Sequence, residues 1–552
     1  MGNNQNTSDR TKYPVVCVLF VLCFVNAGWT LSTTPLDNHE CFVSVTSREM
    51  LEKGNWVLPT FNNQPRLQKT PLSYWLVAGL AKVTGRVDEF TARLPSAVFA
   101  VLSVCVIIYF VGQWLSFRTA LVCAGVWATS FGYIRYSHNA RPEMVLTFFV
   151  VLCFLSFYSA ITAQSRKRQI AYMIVFWVSF GLGNLAKGPA PIPLVLAPLF
   201  FYVAIFRQWR QVPKLLPVAG VLILLAIMLP WPIAAAYKVN WDIVAWKREF
   251  VDRFFGGLDP LKKPFYYYLP QMFMFAVPWV AFLPMAIAAP FYRIWGRKQA
   301  VMQFLWVWFV ADMAFLMLSG GKRQHYIIPI MPAMAILMGI LMDDMMFERK
   351  AFTAKQAKGV LRTHLAVAFL LVTGLVVYCF WRWRQFLPAA FATAGVIVAG
   401  VAIVGVLFAK KRPGPACGCI FAGLVAVNMI IFVGFTNPLN YNQPSRRFTL
   451  SVAQKVPPAD KLVAYKSVSP RFIHYFGRVV PTINTESEVD GYYQQSCWII
   501  AFGRNLDELL KTGRFELVYL EEGVERDKQT PVAGGLFHRR SPVVETTGGV
   551  PI

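Results

Sequence analysis

Charge is scarce in this chain, and negative charge is scarcest. Only 15% of the 552 residues are charged, whereas soluble domains carry about 25%. Asp and Glu together number 28 against 54 Lys and Arg. The deficit excludes a chain made up wholly of ordinary water-soluble domains. No glycine-rich fingerprint of the kind that cradles a nucleotide pyrophosphate is present, which argues against a nucleotide ligand. No internal repeat is visible, which weighs against a carrier built from repeated halves. Zinc-knuckle cysteine spacing is also missing. "CGC" at Cys417–Cys419 is too tight, and Cys17, Cys23, Cys105, Cys123 and Cys153 all lie inside apolar runs. The formal net charge of +26 comes without a DNA- or RNA-binding motif, so nucleic acid is excluded as a partner.

What is abundant is apolar sequence: 56% hydrophobic and 15% aromatic residues, with a mean hydropathy of +0.46. Apolar segments fall near 14–33, 92–113, 118–135, 143–163, 169–186, 189–206 and 214–236, then near 266–291, 300–318, 325–342, 361–381, 387–409 and 415–435. About thirteen transmembrane helices are predicted, each near the ~20 residues that span hydrocarbon. The piece around 72–84 is shorter and follows Pro71, so it reads as interfacial. Arg10 and Lys12 precede the first run and no small-residue cleavage site follows it, so that run is expected to be an uncleaved helix.

With the N-terminus inside, the loops 113–118, 164–169 ("QSRKRQ"), 206–214 ("FRQWRQVPK"), 293–299 ("RIWGRKQ"), 343–360 and 410–413 ("KKRP") are cytoplasmic, and all but the first are strongly basic, as the positive-inside rule expects. The expected extracytoplasmic stretches are 34–91, 136–142, the neighbourhood of Lys187, 237–265, 320–325, 382–386 and the tail. Several of these also carry Lys or Arg. Basic residues on that side point to an anionic ligand. Residues 1–436 are therefore read as a membrane domain. Residues 437–552 are read as a small soluble α/β domain with strands "KLVAYKSV", "CWIIAFG" and "FELVYLEE" and a helix "NLDELLKTG". The last dozen residues are expected to be disordered.

The candidate chemistry lies in the external loops. Asp37, His39 and Glu40 follow the first helix, ahead of the helix-like "SVTSREMLEKG". Lys69 sits in "RLQKTPLSYW", where it is either a surface anchor or an anion ligand. Arg141 and Glu143 open the next segment in "ARPEM", and Glu143 on its own could simply stabilise a helix N-terminus. Lys187 in "NLAKGPAPIP" interrupts apolar sequence and requires an anionic partner. "KREFVDRFFGGLDPLKKPFYYYLP" supplies Arg253, and "SGGKRQHYIIPIMP" supplies Lys322, Arg323, His325 and Tyr326. Cations around a lipid phosphate, with a carboxylate to deprotonate an incoming nucleophile, fit this inventory.

Taken together, "SREMLEKGNWVLPTFNNQPRLQKTPLSYW", "ARLPSA", "ARPEMVLTFF", "LAKGP", "DRFFGGLD" and "GKRQHYIIPIMPA", spread over roughly residues 14–345, resemble the bacterial polyprenyl-phosphate-dependent glycosyltransferases of the C class (GT-C). The nearest branches are the aminoarabinose–lipid A transferases and the protein O-mannosyltransferases. The resemblance implies a polytopic helical fold with interfacial periplasmic helices in the bacterial inner membrane, and a polyprenyl-phosphate sugar donor. It implies inverting transfer to a lipid A-like or other envelope acceptor, with a protein hydroxyl as the alternative. It places Lys69, Arg253 and Tyr326, with Lys187, on the donor phosphate. Asp37 and Glu40 are rival bases, Glu143 is the second acidic position, and His39, Arg141, Lys322 and His325 are candidate substrate contacts. Lipid A-type members can hold zinc through a glutamate before that lysine and a histidine in the fourth loop. Gln68 and Phe250 occupy those positions here, so no zinc is expected at that site. A divalent cation at His39, Glu40 and Glu143 is left open. A lipid transporter and a non-catalytic scaffold are the readings from other classes.

Overall fold

The computed structural model describes residues 22–239, 263–436, 438, 443–485, 488, 497–527 and 530–539. Among these, nine helices of 19 to 28 residues are long and apolar enough to cross a membrane, from Glu89–Trp114 to Pro413–Thr436. Three shorter apolar helices, Phe117–Ala128, Pro191–Ile205 and Trp279–Phe291, accompany them. The protein is a multi-pass membrane protein. The expected first helix is described only from Leu22 onward.

Two predicted spans are broken. The run read at 118–135 forms Phe117–Ala128 and Phe131–Ser137, because the Phe131 N–H leaves the ladder to donate to the Val277 carbonyl at 2.8 Å. The run at 266–291 divides into Tyr268–Ala276 and Trp279–Phe291. Pro278 stands at that break, where its missing N–H ends the ladder.

The centre of the bundle is Met331–Asp343, every residue of which is buried. It packs on Phe117–Ala128 so closely that a Cβ on Gly339 would run into the Cys123 backbone. Membrane helices approach in this way through small residues, since lipid offers no hydrophobic drive to bring them together. Gly339→Val is expected to lower the melting temperature of the detergent-solubilised protein, with a destabilisation of about 1–3 kcal/mol. At the C-terminal end of this helix Asp343 is fully buried. It accepts from Arg118 Nε at 2.8 Å and Thr119 Oγ1 at 2.9 Å, with Lys298 Nζ 3.6 Å away. Loops 113–118 and 343–360 thus meet at one end of the bundle, and the segments around 34–91, 136–142, 187 and 320–325 meet at the other.

The tail forms a five-stranded sheet. Thr482–Ile483, Lys461–Tyr465 and Cys497–Phe502 run parallel, then Thr530–Arg539 and Phe515–Asp527 add antiparallel. Alternate side chains feed two cores: Leu462, Ala464 and Ile500 pack with Phe448 and Phe472, while Val463, Tyr465 and Ile499 pack with Leu506 and Leu509. The sequence reading missed Thr530–Arg539, whose Gly534 and Gly535 weaken the strand pattern. The Pro444–Lys455 and Pro470–Phe476 helices were missed as well. The final dozen residues lie outside the described part.

Candidate functional site

The helix over "SVTSREMLEKG" begins earlier than expected and runs Asn38–Lys53. Asp37 caps it: its Oδ1 accepts the Glu40 N–H while Glu40 Oε2 accepts the Asp37 N–H, both at 2.8 Å. This reciprocal pair is a capping box, which satisfies two otherwise unpaired donors. Gly54 ends the helix at φ +62°, a left-handed conformation that a Cβ disfavours.

Asp37 and Glu40 have different surroundings. Glu40 is 2% exposed. Arg93 grips it through Nε at 2.7 Å and Nη2 at 2.8 Å, and the Ala140 N–H donates to Oε1 at 2.8 Å. Neither oxygen is left over. Asp37 is half-exposed, and its Oδ2 receives Arg141 Nη2 at 2.8 Å. Burial pushes its carboxyl pKa up, but the Arg141 guanidinium and the Glu40 N–H outweigh burial and hold it below the usual 3.8. For His39, burial and then the Arg141 charge push the imidazole below its ordinary value, which keeps it neutral at neutral pH.

A cavity of about 750 Å³ opens beside this helix, within the range of substrate sites. Arg66, Lys69, Arg141, Lys187 and Arg323 line it with His39, His325 and Tyr326, and the only lining carboxylate among the described residues is Glu143. The rest of the wall is largely apolar, with Leu146, Pro189, Pro193, Leu194, Phe315 and Leu316. A buried bond from the Gly188 N–H to Thr70 Oγ1, 3.0 Å long, ties the loop carrying Lys69 to the chain just after Lys187. Gly188 makes that turn possible at φ +63°, and Pro189 follows it.

Glu143 is 3% exposed at the start of the Glu143–Ile161 helix. Its Oε1 lies 3.0 Å from Lys187 Nζ and 3.5 Å from His325 Nε2, while its Oε2 is buried without a hydrogen-bond partner. Lys187 Nζ also sits 5.1 Å from the Tyr326 ring centroid. Arg66 spreads its guanidinium 4.1 Å over Phe42 and donates to the Tyr74 hydroxyl at 3.2 Å.

The sequence-predicted residues Lys69, Lys187, Tyr326, Glu143, His39, Arg141 and His325 thus share one cavity. Asp37, Glu40 and Lys322 do not line it; Asp37 is joined to it through Arg141, and Lys322 is buried and donates to the Ser319 carbonyl. Arg253 and Phe250 lie outside the described residues. Gln68 lines the cavity. Among the described residues no three of His, Cys, Asp and Glu gather closely enough to share a metal ion. The grouping of His39, Glu40 and Glu143 left open for a divalent cation is therefore not formed, because Arg93 takes the Glu40 oxygens and Lys187 one of those of Glu143.

Two residues escaped the sequence reading. Arg66 stands in a quoted motif but is one of several unremarkable loop cations. Arg93, in "ARLPSA", carried a usable signal: an arginine one turn inside an apolar helix needs a carboxylate partner.

Residues 68–233 match the family described as dolichyl-phosphate-mannose-protein mannosyltransferase. The undecaprenyl phosphate-alpha-4-amino-4-deoxy-L-arabinose arabinosyl transferase of Pseudomonas aeruginosa (strain UCBPP-PA14) is 32% identical over 343 residues, 60% of either chain. The chain thus spans about three fifths of the length of that curated relative. Among solved structures, ArnT from Cupriavidus metallidurans, crystallised with undecaprenyl phosphate, superposes with a TM-score of 0.79 at 19% identity, covering 94% of this chain and 97% of that one. The archaeal oligosaccharyltransferase AglB from Archaeoglobus fulgidus reaches a TM-score of 0.53 at 13% identity, covering 90% and 69%. The polytopic helical fold that the sequence motifs implied is shared with ArnT over nearly the whole chain.

Proposed function

We propose that this protein is an integral-membrane glycosyltransferase that moves a sugar from a polyprenyl-phosphate carrier to an extracytoplasmic acceptor, a lipid A-like or other envelope glycolipid. One observation carries the reading. Five cationic side chains and an apolar wall share a single cavity, which suits an anionic head on a hydrocarbon chain. The arabinosyl transferase relatives support the same donor class. The basic loops at the opposite end support a cavity and a tail that face outside the cytoplasm of the bacterial inner membrane.

In this reading the acceptor oxygen attacks the anomeric carbon as the bond from that carbon to the phosphate oxygen breaks. A single displacement inverts the centre, and the polyprenyl phosphate leaves with the added negative charge. Lys69, Lys187 and Tyr326, with Arg253, stabilise that charge. Asp37, half-exposed and paired with the cavity-lining Arg141 at 2.8 Å, takes the proton of a hydroxyl acceptor. Glu143 holds Lys187 and His325 in place and offers Oε2 to a sugar hydroxyl. Glu40 is a positioning residue that sets Asp37 through the capping box.

Asp37 titrates below its ordinary value, so it stays ionised at every pH above that value and loses its charge only as pH falls through the depressed one. The pH–rate profile is expected to show no acid limb from Asp37 between about pH 5 and 8. Arg141→Gln removes the guanidinium that holds the carboxyl down, so the acid limb should move to higher pH. An unmoved limb in that variant would assign the base elsewhere.

The experiment for the whole reading is incubation of membranes bearing the protein with labelled polyprenyl-phosphate sugars and identification of the product. Label in a glycolipid supports it. The mannosyltransferase match favours a second reading, in which the label appears on protein. Lipid movement across vesicles without any transfer would defeat both.

A further inference from the structure

Leu36, the residue before Asp37, is fully buried, and side chains from more than 430 positions away hold both of its backbone polar groups. Its N–H donates to the Tyr475 hydroxyl at 2.9 Å, and its carbonyl accepts from Arg471 Nε at 2.9 Å. Tyr475 in turn donates to Glu89 Oε1 at 2.9 Å, at the start of the Glu89–Trp114 helix. Arg471 is braced by Ser445 Oγ at 3.0 Å. From the other side Arg93 donates to the carbonyls of Leu31, Thr34 and Pro35. The strand of chain that delivers Asp37 is therefore gripped between one arginine of the membrane bundle and one of the tail.

The same tail helix, Pro470–Phe476, also runs against the helix that Asp37 caps. Arg48 forks onto the Ile473 and His474 carbonyls at 3.2 and 3.0 Å, and Ser44 Oγ meets His474 Nδ1 at 3.0 Å. A second attachment lies further along the loop. Asn62 Nδ2 donates to the Val480 carbonyl at 2.7 Å and Asn62 Oδ1 accepts the Val480 N–H at 2.8 Å. None of these tail residues lines the cavity.

We propose that the tail is a working part of the transferase: by clamping Leu36, Tyr475 and Arg471 fix the N-terminal cap of the Asn38–Lys53 helix and thereby hold Asp37 and His39 in register with Arg141 and the donor pocket. Both are positioning residues. The inference rests on the transferase reading above. Its physical basis is that a carboxylate at a helix cap inherits the position of the peptide before it, and small displacements of a reacting group carry large rate penalties.

The test uses the full-length protein in detergent or proteoliposomes, with Tyr475→Phe, Arg471→Gln and, as a control for docking alone, Asn62→Ala. Transfer rates and binding of polyprenyl phosphate without sugar are measured for each. Tyr475→Phe and Arg471→Gln are expected to lower kcat by at least about tenfold, with donor KM and polyprenyl phosphate binding within about twofold of the parent. Asn62→Ala should keep the parental kcat. Wild-type rates in both clamp variants would overturn the clamp while leaving the transferase reading intact. A loss of binding in parallel with rate, or an equal loss in Asn62→Ala, would reduce the tail to general scaffolding and also overturn it. No transfer by the parent protein would instead remove the reading on which the clamp depends.

Discussion

Replacing Lys69 with alanine is expected to lower sugar transfer by about 10²- to 10³-fold, the loss seen when one preorganised donor to a developing oxyanion is removed. The reason is where charge appears. As the sugar departs, the phosphate goes from one negative charge toward two, and among the described residues the cations lining the cavity outnumber its carboxylates five to one. Lys69 is held there by its neighbour: the Thr70 hydroxyl takes the Gly188 N–H and draws this loop against the end of the Arg166–Lys187 helix. An interaction that strengthens only in the transition state lowers kcat and kcat/KM together when it is lost. The variant should therefore bind donor nearly as well as the parent and turn it over slowly. Lys187→Ala should be at least as severe, because it also leaves Glu143 buried with its ion-pair partner gone. Steady-state kinetics on purified protein check both. Parental kcat in Lys69→Ala would place the leaving phosphate elsewhere.

Arg93→Ala is expected to cost about 3–5 kcal/mol of stability, the usual consequence of leaving one member of a buried ion pair uncompensated. Both side chains of the Arg93–Glu40 pair are at most 4% exposed, so water cannot replace the lost partner. The same guanidinium also satisfies three backbone carbonyls in the 31–35 segment. Poor recovery of folded protein and a lowered melting temperature should accompany loss of transfer. Glu40→Gln tests the role given to Glu40. A positioning residue should lose stability and rate together, because an amide keeps the shape but gives up the charge that Arg93 requires. If Glu40→Gln melted like the parent while transfer vanished, Glu40 would be the base and Asp37 its neighbour.

The site was legible in part for a simple reason. Lys69, Lys187, Glu143 and Tyr326 are charged or polar residues at the edges of apolar runs, where they are costly unless they meet a partner or a ligand, so they stand out against their surroundings. Asp37 and Glu40 could not be separated in that way. Three residues apart and both acidic, they look alike in a string. The distinction arises because the helix starts at Asn38 and turns Glu40 toward Arg93, a partner 53 positions away. Arg66, a cation in a polar loop, carries no signal in the string; only the fold sets Phe42 and Tyr74 around it.

From the residue order alone came the membrane class and four of the segments that supply the cavity, those around 34–91, 136–142, Lys187 and 320–325. Those depend on the hydrocarbon thickness and on the cost of charge in lipid, and both act locally along the chain. Which carboxylate is buried and which is open, and the grip of the tail on Leu36, came only with the tertiary structure. They depend on contacts between residues up to 439 positions apart, and no local pattern of hydrophobicity or charge encodes which distant side chain will arrive at a given backbone group.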